Sequence, residues 1–365
     1  MELQNFCATG EIEDVLKVIL TGIIAFVIAF VITPIWTHFL YKYKLGIRIK
    51  KNGVQGEKLQ FVNTLHADKS GTPTMGGVIV WFSVALFIFS SHYIFPLLSS
   101  WLDINFLARL DFLARKSTWL PLFALVSTGI LGLFDDVMSV RGWGSNKGGG
   151  MKFVVRLAWL VVIAGLGAWW FYSKLGWDEI HIPSVGDFSI GLWYIPLFIF
   201  IIVFTAFSSN ETDGLDGLNA GILVMAFGAF AVIAFQNNNV NLAAFCVAIS
   251  GALLAFLWFN IYPARFFMGD TGATSLGATL GVVALLTNSV VALFIIVFIY
   301  VLESGSAIAQ MTSKKFFHRK IFLAAPLHHH FEALGWPEPK VTMRAWVFTA
   351  ITVALGLIIA LIGSG

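Results

Sequence analysis

The chain alternates between long apolar runs and short polar ones. Apolar stretches cover 17–39, 76–97, 119–134, 153–172, 191–208, 218–235, 242–260, 273–287, 289–311 and 345–363. A helix that crosses the hydrocarbon core of a bilayer needs about 17–25 such residues. The third and eighth stretches are short, and only Thr287-Asn288 separates the eighth from the ninth. The pattern predicts one all-α integral membrane domain over 1–365, with about ten transmembrane helices.

Composition supports a lipid solvent. The chain is 58% hydrophobic and 12% charged, and its mean hydropathy is +0.83. Soluble domains carry about 25% charged residues. The segment Met1–Asp14 is acidic and lacks the basic start of a cleavable leader. Loops 40–75, 135–152, 209–217, 261–272 and 312–344 hold 17 of the 23 Lys and Arg, whereas loops 98–118 and 173–190 hold four. Excess positive charge marks cytoplasmic loops, so the first set is expected inside and both termini outside. Cys7 and Cys246 suggest no disulfide framework. The net charge of +3 gives no support to nucleic-acid binding.

Each loop on the basic side carries a polar cluster: "GTPTMGG" (71–77), "GLFDDVMS" (132–139), "NETDGLDGLNAG" (210–221), "FNIYPARFFMGDTG" (259–272) and "LAAPLHHHFEALGWPEP" (323–339). Asp135 and Asp136 open the second of these loops. Asp213 and Asp216 are spaced so that one helical turn would carry both on one face. Asp270 stands between Gly269 and Thr271-Gly272. A lone Asp at a membrane edge is as often a helix cap as a functional group. Five of them, on one side and among glycines, point instead to a site. Such carboxylates suit a hard cation, Mg²⁺ above all, which bridges to phosphate oxygens. Lys69, Lys147, Lys152 and Arg265 fit the same anionic substrate, although singly they read as ordinary positive-inside anchors. "NKGGGMK" departs from the known phosphate-loop pattern. Phe266 and Phe267 could stack a base, yet two of 35 Phe are more often core or lipid-facing.

His328, His329 and His330 are consecutive, so on a helix they would point about 100° apart. The flanking Pro326, Pro337 and Pro339 predict a loop in which the imidazoles converge. Zinc is a competing ligand for imidazole. Three adjacent residues make a poor tripod, and donation to a diphosphate fits better.

Together "KSGTPTMGG", "FDD", "NETDGLDGL", "FNIYPARFFMGD" and "PLHHHFEALGWPEPKV" resemble the phospho-N-acetylmuramoyl-pentapeptide transferases, over about Lys69 to Arg344 and, by the span pattern, over the whole chain. The histidine run followed by "GWPEP" is the most specific element. It separates this family from related transferases of N-acetylglucosamine phosphate, the nearest alternative; a membrane transporter is the alternative from another class. The resemblance implies transfer from UDP-N-acetylmuramoyl-pentapeptide to undecaprenyl phosphate, giving lipid I and UMP, with Mg²⁺ required. It implies ten helices with both termini periplasmic, a bacterial inner-membrane location and a homodimer. By motif, Asp270 is the magnesium ligand, and Asp135 and Asp136 lie at the catalytic centre near the lipid phosphate. Lys69, Thr74, Asn210, Asp213, Asp216, Asn260 and Phe267 match positions around the nucleotide-sugar, with Phe267 under the uracil. His328, His329 and His330 match the histidines on the diphosphate side, His328 among the catalytic groups. Lys152 is preferred to Lys147 as the phosphate lysine of the second loop. Asp135 reads first as an orienting group and second as a base. Ser139 stands where the family often has lysine, with Arg141 two residues on. Glu211 occupies a usually apolar position beside the nucleotide site, and Leu323 replaces a frequent basic residue.

Overall fold

The computed structural model describes residues 2–46, 69, 71–102, 111, 116–144 and 149–363. In chain order the helices are α1 (Glu2–Lys42), α2 (Val78–Tyr93), α3 (Phe95–Leu102), α4 (Lys116–Arg141), α5 (Phe153–Leu175), α6 (Tyr194–Thr212), α7 (Leu218–Gln236), α8 (Val240–Asn260), α9 (Gly269–Leu286), α10 (Val290–Ile296), α11 (Phe298–Phe317), α12 (Leu327–Ala333) and α13 (Glu338–Gly363). Among the described residues, seven helices are long and apolar enough to cross a membrane: α1, α4, α5, α6, α7, α8 and α13. The pairs α2–α3 and α10–α11 qualify jointly but bend by 47° and 76°, bringing the number to nine if each pair is one span.

Helix α9 occupies the predicted stretch 273–287 and has a different character. Every residue from Thr271 to Leu286 is buried. Its sequence, "GDTGATSLGATLGVVALL", presents small residues that let neighbouring backbones come close, which is how helices associate where water supplies no drive. Hydroxyls then bridge the helices. Ser275 donates to the Leu125 carbonyl at 2.7 Å, and Thr271 donates to the Gly129 carbonyl at 2.9 Å while accepting from the Trp81 indole at 3.1 Å. The helix packs against α4 on one side and α6 on the other. That sandwich sets the positions of everything at its N-terminus.

Two predicted features change. A hairpin of β1 (Glu179–Ile182) and β2 (Gly186–Ser189) interrupts the expected all-helical chain. Its turn uses positive φ at Ser184 and Gly186, and the Asn288 side chain holds it by accepting from the His181 N–H at 3.0 Å. Helix α4 also runs on to Arg141, so Asp135 and Asp136 lie on a helix and do not open a loop. The stretch "FDDVMSVR" contains no glycine or proline to stop it, and Gly142 at φ 71° ends it.

Helix α1 lies along α8, where a Cβ added to Gly251 would sit 2.1 Å from the Gly22 carbonyl oxygen. Gly251→Ala should therefore destabilise the fold by about 1–3 kcal/mol through overpacking, seen as a lower thermal midpoint in detergent. Gly165 in α5 has open space around its Cβ position, so Gly165→Ala should be neutral or stabilising by up to about 1 kcal/mol. Equal midpoints for the two variants would refute this account.

Candidate active site

From α4 to α9 the bonds between elements bring the C-terminal ends of α4, α6 and α8 to the N-terminal ends of α5, α7 and α9. The candidate residues collect at this end of the bundle. Asp270 lies in the first turn of α9. One of its carboxylate oxygens accepts from Asn210 Nδ2 of α6, and the other accepts from Arg156 Nη1 of α5 at 2.8 Å. The same Nη1 donates to Asp135 at 3.2 Å. One guanidinium nitrogen thus ties α4 to α9. The other Asp135 oxygen accepts from the Met151 N–H at 2.6 Å, so the glycine run of the second loop turns an amide toward this carboxylate.

Asp136, about 100° round α4 from Asp135, faces α9 instead. Its two oxygens accept from the Asp270 N–H at 3.2 Å and the Thr271 N–H at 3.0 Å. It therefore caps α9 from a different helix, using amides that have no intrahelical partner. Close approach here requires Gly269, at φ 73°, because a Cβ would meet Asp136 Oδ2 at 2.6 Å and Thr74 Oγ1 at 2.7 Å. The role of Asp136 in the fold is thus to set the position of Asp270. Asp213 completes the group, taking a hydrogen bond from the Gly269 backbone. Burial first, and the neighbouring Asp270 charge second, push its carboxyl up to about 7.

Asp213 and Asp216 do not share a helical turn as their spacing suggested. Helix α6 ends at Thr212, and Gly217 at φ 72° is the N-cap of α7, so residues 213–217 form a turn. Asp216 accepts from the Ala264 N–H at 3.0 Å and from Lys69 Nζ at 2.6 Å. Asn260 accepts from the Gly217 N–H at 3.1 Å and donates to the Phe266 carbonyl at 2.8 Å. Both residues knit the third and fourth loops together. Lys69 also reaches Glu338 at 2.5 Å, and its amine lies 5.4 Å from the centre of the half-buried Phe267 ring. Phe266, by contrast, is fully buried against Phe256 and Phe259.

The histidines are not in a loop. They supply three of the seven residues of α12, with Pro326 as its N-cap; proline at a helix start omits only an N–H that would have been orphaned anyway. The three rings consequently do not converge on one point: His328 and His329 lie side by side and His330 points elsewhere. His328, 1% exposed, sets Nδ1 3.0 Å from Glu303 of α11. Its Nε2 lies against the 213–217 turn, 2.3 Å from where a Gly214 Cβ would be, and has no hydrogen-bond partner among the described residues. The His329 ring lies 4.2 Å from that of His328 and bonds Glu332 at 2.8 Å. His330 turns to Phe322, and its Nδ1 accepts from the Leu323 N–H at 3.2 Å.

Residues 118–288 match the model of glycosyl transferase family 4, and residues 69–79 match signature 1 of phospho-N-acetylmuramoyl-pentapeptide-transferase. A phospho-N-acetylmuramoyl-pentapeptide-transferase of Chloroflexus aggregans is 37% identical over 96% of this chain and 91% of the relative. The transferase so named from Clostridium perfringens strain 13 is 34% identical over 92% of this chain and 96% of its own length. One from a Geobacillus strain is 34% identical over 94% and 96%. The chain belongs to the phospho-N-acetylmuramoyl-pentapeptide-transferase family. It is a multi-pass membrane protein and a transferase of peptidoglycan synthesis.

The structure brings Asp135, Asp136, Asn210, Asp213 and Asp270 together, with Thr74 against Gly269 and with Lys69, Asp216, Asn260 and Phe267 forming one flank. Lys152 is exposed at the N-cap of α5, and Lys147 lies outside the described residues. Among the family departures, Arg141 stacks over Trp143 at 4.8 Å, and Leu323 is exposed. Glu211 turns away from the nucleotide flank to accept from Ser304 at 2.8 Å. Sequence reasoning passed over Arg156, Glu303 and Glu338. Arg156 and Glu303 sit in apolar runs, where an isolated charge is itself a signal, whereas Glu338 lies in the proline-rich end of the fifth loop and carried none.

Glu338 also accepts from the Asp216 N–H at 2.6 Å, so it braces both Lys69 and the third loop. Glu338→Ala and Lys69→Ala should each destabilise the protein by about 1–3 kcal/mol. The double variant should lose clearly less than their sum. Additive shifts in a thermal double-mutant cycle would show that the contact carries no coupling.

Proposed function

We propose that this chain transfers phospho-N-acetylmuramoyl-pentapeptide from its UDP-linked donor to undecaprenyl phosphate, releasing UMP and forming lipid I. The observation that carries the reading is the set of four carboxylates, Asp135, Asp136, Asp213 and Asp270, at the end of the central helix sandwich. An oxygen of the lipid phosphate attacks the β-phosphorus of the donor. The bond from that phosphorus to the bridging oxygen breaks, and UMP leaves with the bonding pair. A phosphate monoester has its second pKa near about 6, so its dianion is available at neutral pH without a base. Asp135, held by Met151 and Arg156, therefore acts as an orienting group. Positioning and charge neutralisation carry the rate.

The residues fit a divalent cation. Among the described residues four carboxylates stand against one contacting guanidinium, and a carboxylate oxygen can accept more than one ligand. Among the described residues no three His, Cys, Asp or Glu side chains are arranged around one ion. A Mg²⁺ ion would thus take one or two carboxylates, Asp270 first, and complete its shell with water and phosphate. Bound there, it would neutralise charge on the transferring diphosphate. His328 has Nδ1 held by Glu303 and Nε2 beside the 213–217 turn; as an imidazolium paired with that carboxylate it would donate from Nε2 to the nucleotide diphosphate. Lys69 and Phe267 form the flank for the nucleotide.

Topology, location and assembly extend the same reading: ten spans with α9 counted, both termini outside, the carboxylate end of the bundle in the cytoplasm, and a homodimer in the bacterial inner membrane. The basic loops 261–272 and 312–344 join helices at the carboxylate end, which supports that orientation.

UMP release from UDP-N-acetylmuramoyl-pentapeptide should require undecaprenyl phosphate and Mg²⁺, with UDP-N-acetylglucosamine a poor donor. Asp270→Ala should abolish release in a folded protein. His328→Ala should slow it about 10²–10³-fold, the scale of one lost oxyanion donor. Normal turnover by Asp270→Ala, or preference for the N-acetylglucosamine donor, would sink the proposal. Engineered cysteines in 312–344 should label only from the cytoplasmic side. Ready modification from the periplasm would reverse the assigned orientation.

A further inference from the structure

Arg156 lies in the first turns of α5, in a segment apolar enough to cross the membrane. Its neighbours one turn away on the same helical face, Phe153 and Trp159, are 59% and 54% exposed, and Val154 is 71% exposed. In a membrane protein that stripe meets lipid. The guanidinium, whose side chain is 19% exposed, points inward from it and rests over the Phe207 ring at 5.3 Å. Nη1 alone makes the bonds to Asp135 and Asp270. Among the described residues the protein gives Nε and Nη2 no acceptor. A guanidinium carries five N–H donors in a planar fork suited to phosphate, and it stays charged at any relevant pH. Lys69, the cation on the other flank, is already committed to Asp216 and Glu338.

We propose that Arg156 binds the phosphate of the polyprenyl acceptor as it arrives from the lipid-facing side, and holds it beside Asp135 and Asp270. The two carboxylates fix the plane of the fork through Nη1, and the remaining donors take the phosphate oxygens. The acceptor's hydrocarbon chain stays in the bilayer along the Phe153–Trp159 stripe while its head group reaches the site. This assignment rests on the reading that the acceptor is a lipid phosphate.

The test compares wild type, Arg156→Gln and Arg156→Lys in nanodiscs. A hydrogen bond to a charged group contributes about 1.5–3 kcal/mol, so Arg156→Gln should raise the half-saturating polyprenyl phosphate at least about tenfold. Half-saturation by the UDP-sugar should stay within about twofold, and Arg156→Lys should recover part of the loss because it keeps charge without the fork. Independently of turnover, wild type should bind polyprenyl phosphate in preference to the neutral polyprenol, and Arg156→Gln should lose that preference. An unchanged acceptor half-saturation, or an equal rise for both substrates, would overturn the proposal. If Arg156→Gln does not fold, wild-type acceptor binding by Arg156→Lys overturns it as well. Wild type that binds the lipid phosphate but releases no UMP would instead count against the transferase reading.

Discussion

A carboxylate at the edge of a hydrocarbon-packed bundle is tolerable only when each oxygen has a donor. This chain places four of them together, and much of the local architecture supplies those donors. Asp136 receives two amides from α9, Asp135 an amide from the glycine-rich loop, and Asp270 an asparagine from α6. A single guanidinium nitrogen then joins Asp135 to Asp270. Each bond crosses between elements, so the same contacts that solvate the charges also lock α4, α5, α6 and α9 in register. Stability and chemistry are coupled at this end of the molecule.

The coupling depends on α9 being thin. Glycine, alanine, serine and threonine along it allow α4 and α6 to approach from both sides, and bulkier residues would push the carboxylates apart. Its hydroxyls take up carbonyls of its own and neighbouring helices, as Thr279 does with Ser275 at 2.7 Å. Helix α9 therefore brings hydroxyls into an apolar interior, and few buried hydroxyls among the described residues are unpaired.

Much of this was legible in the sequence. The apolar runs located the helices, and the clusters of Asp, Asn and Gly located the site, because both are local signals. The failures share a cause. Pro326 was read as a loop marker, but at the start of "LHHHFEA" it is a helix initiator, which only the continuation into Phe331 and Trp336 could reveal. The spacing of Asp213 and Asp216 fitted a helical turn, yet their bonds go to Gly269, Ala264 and Lys69, residues tens of positions away. Glu303, Glu338 and Arg156 acquire meaning only through partners at sequence separations of 21 to 269 residues. Periodicity carries no such information.

The 76° break between α10 and α11 matters for the membrane as much as for the protein. Helix α11 has 20 residues, which makes it about 30 Å long. Turned so sharply, that length leaves the course of α10. Ile308, Met311, Phe316 and Phe317 line it as exposed apolar residues, and Lys315, Arg319 and Lys320 cluster at its end. An exposed apolar helix with a basic end, set at a steep angle to the one before it, makes the packing and head-group charge of the surrounding lipids mechanical variables of the enzyme.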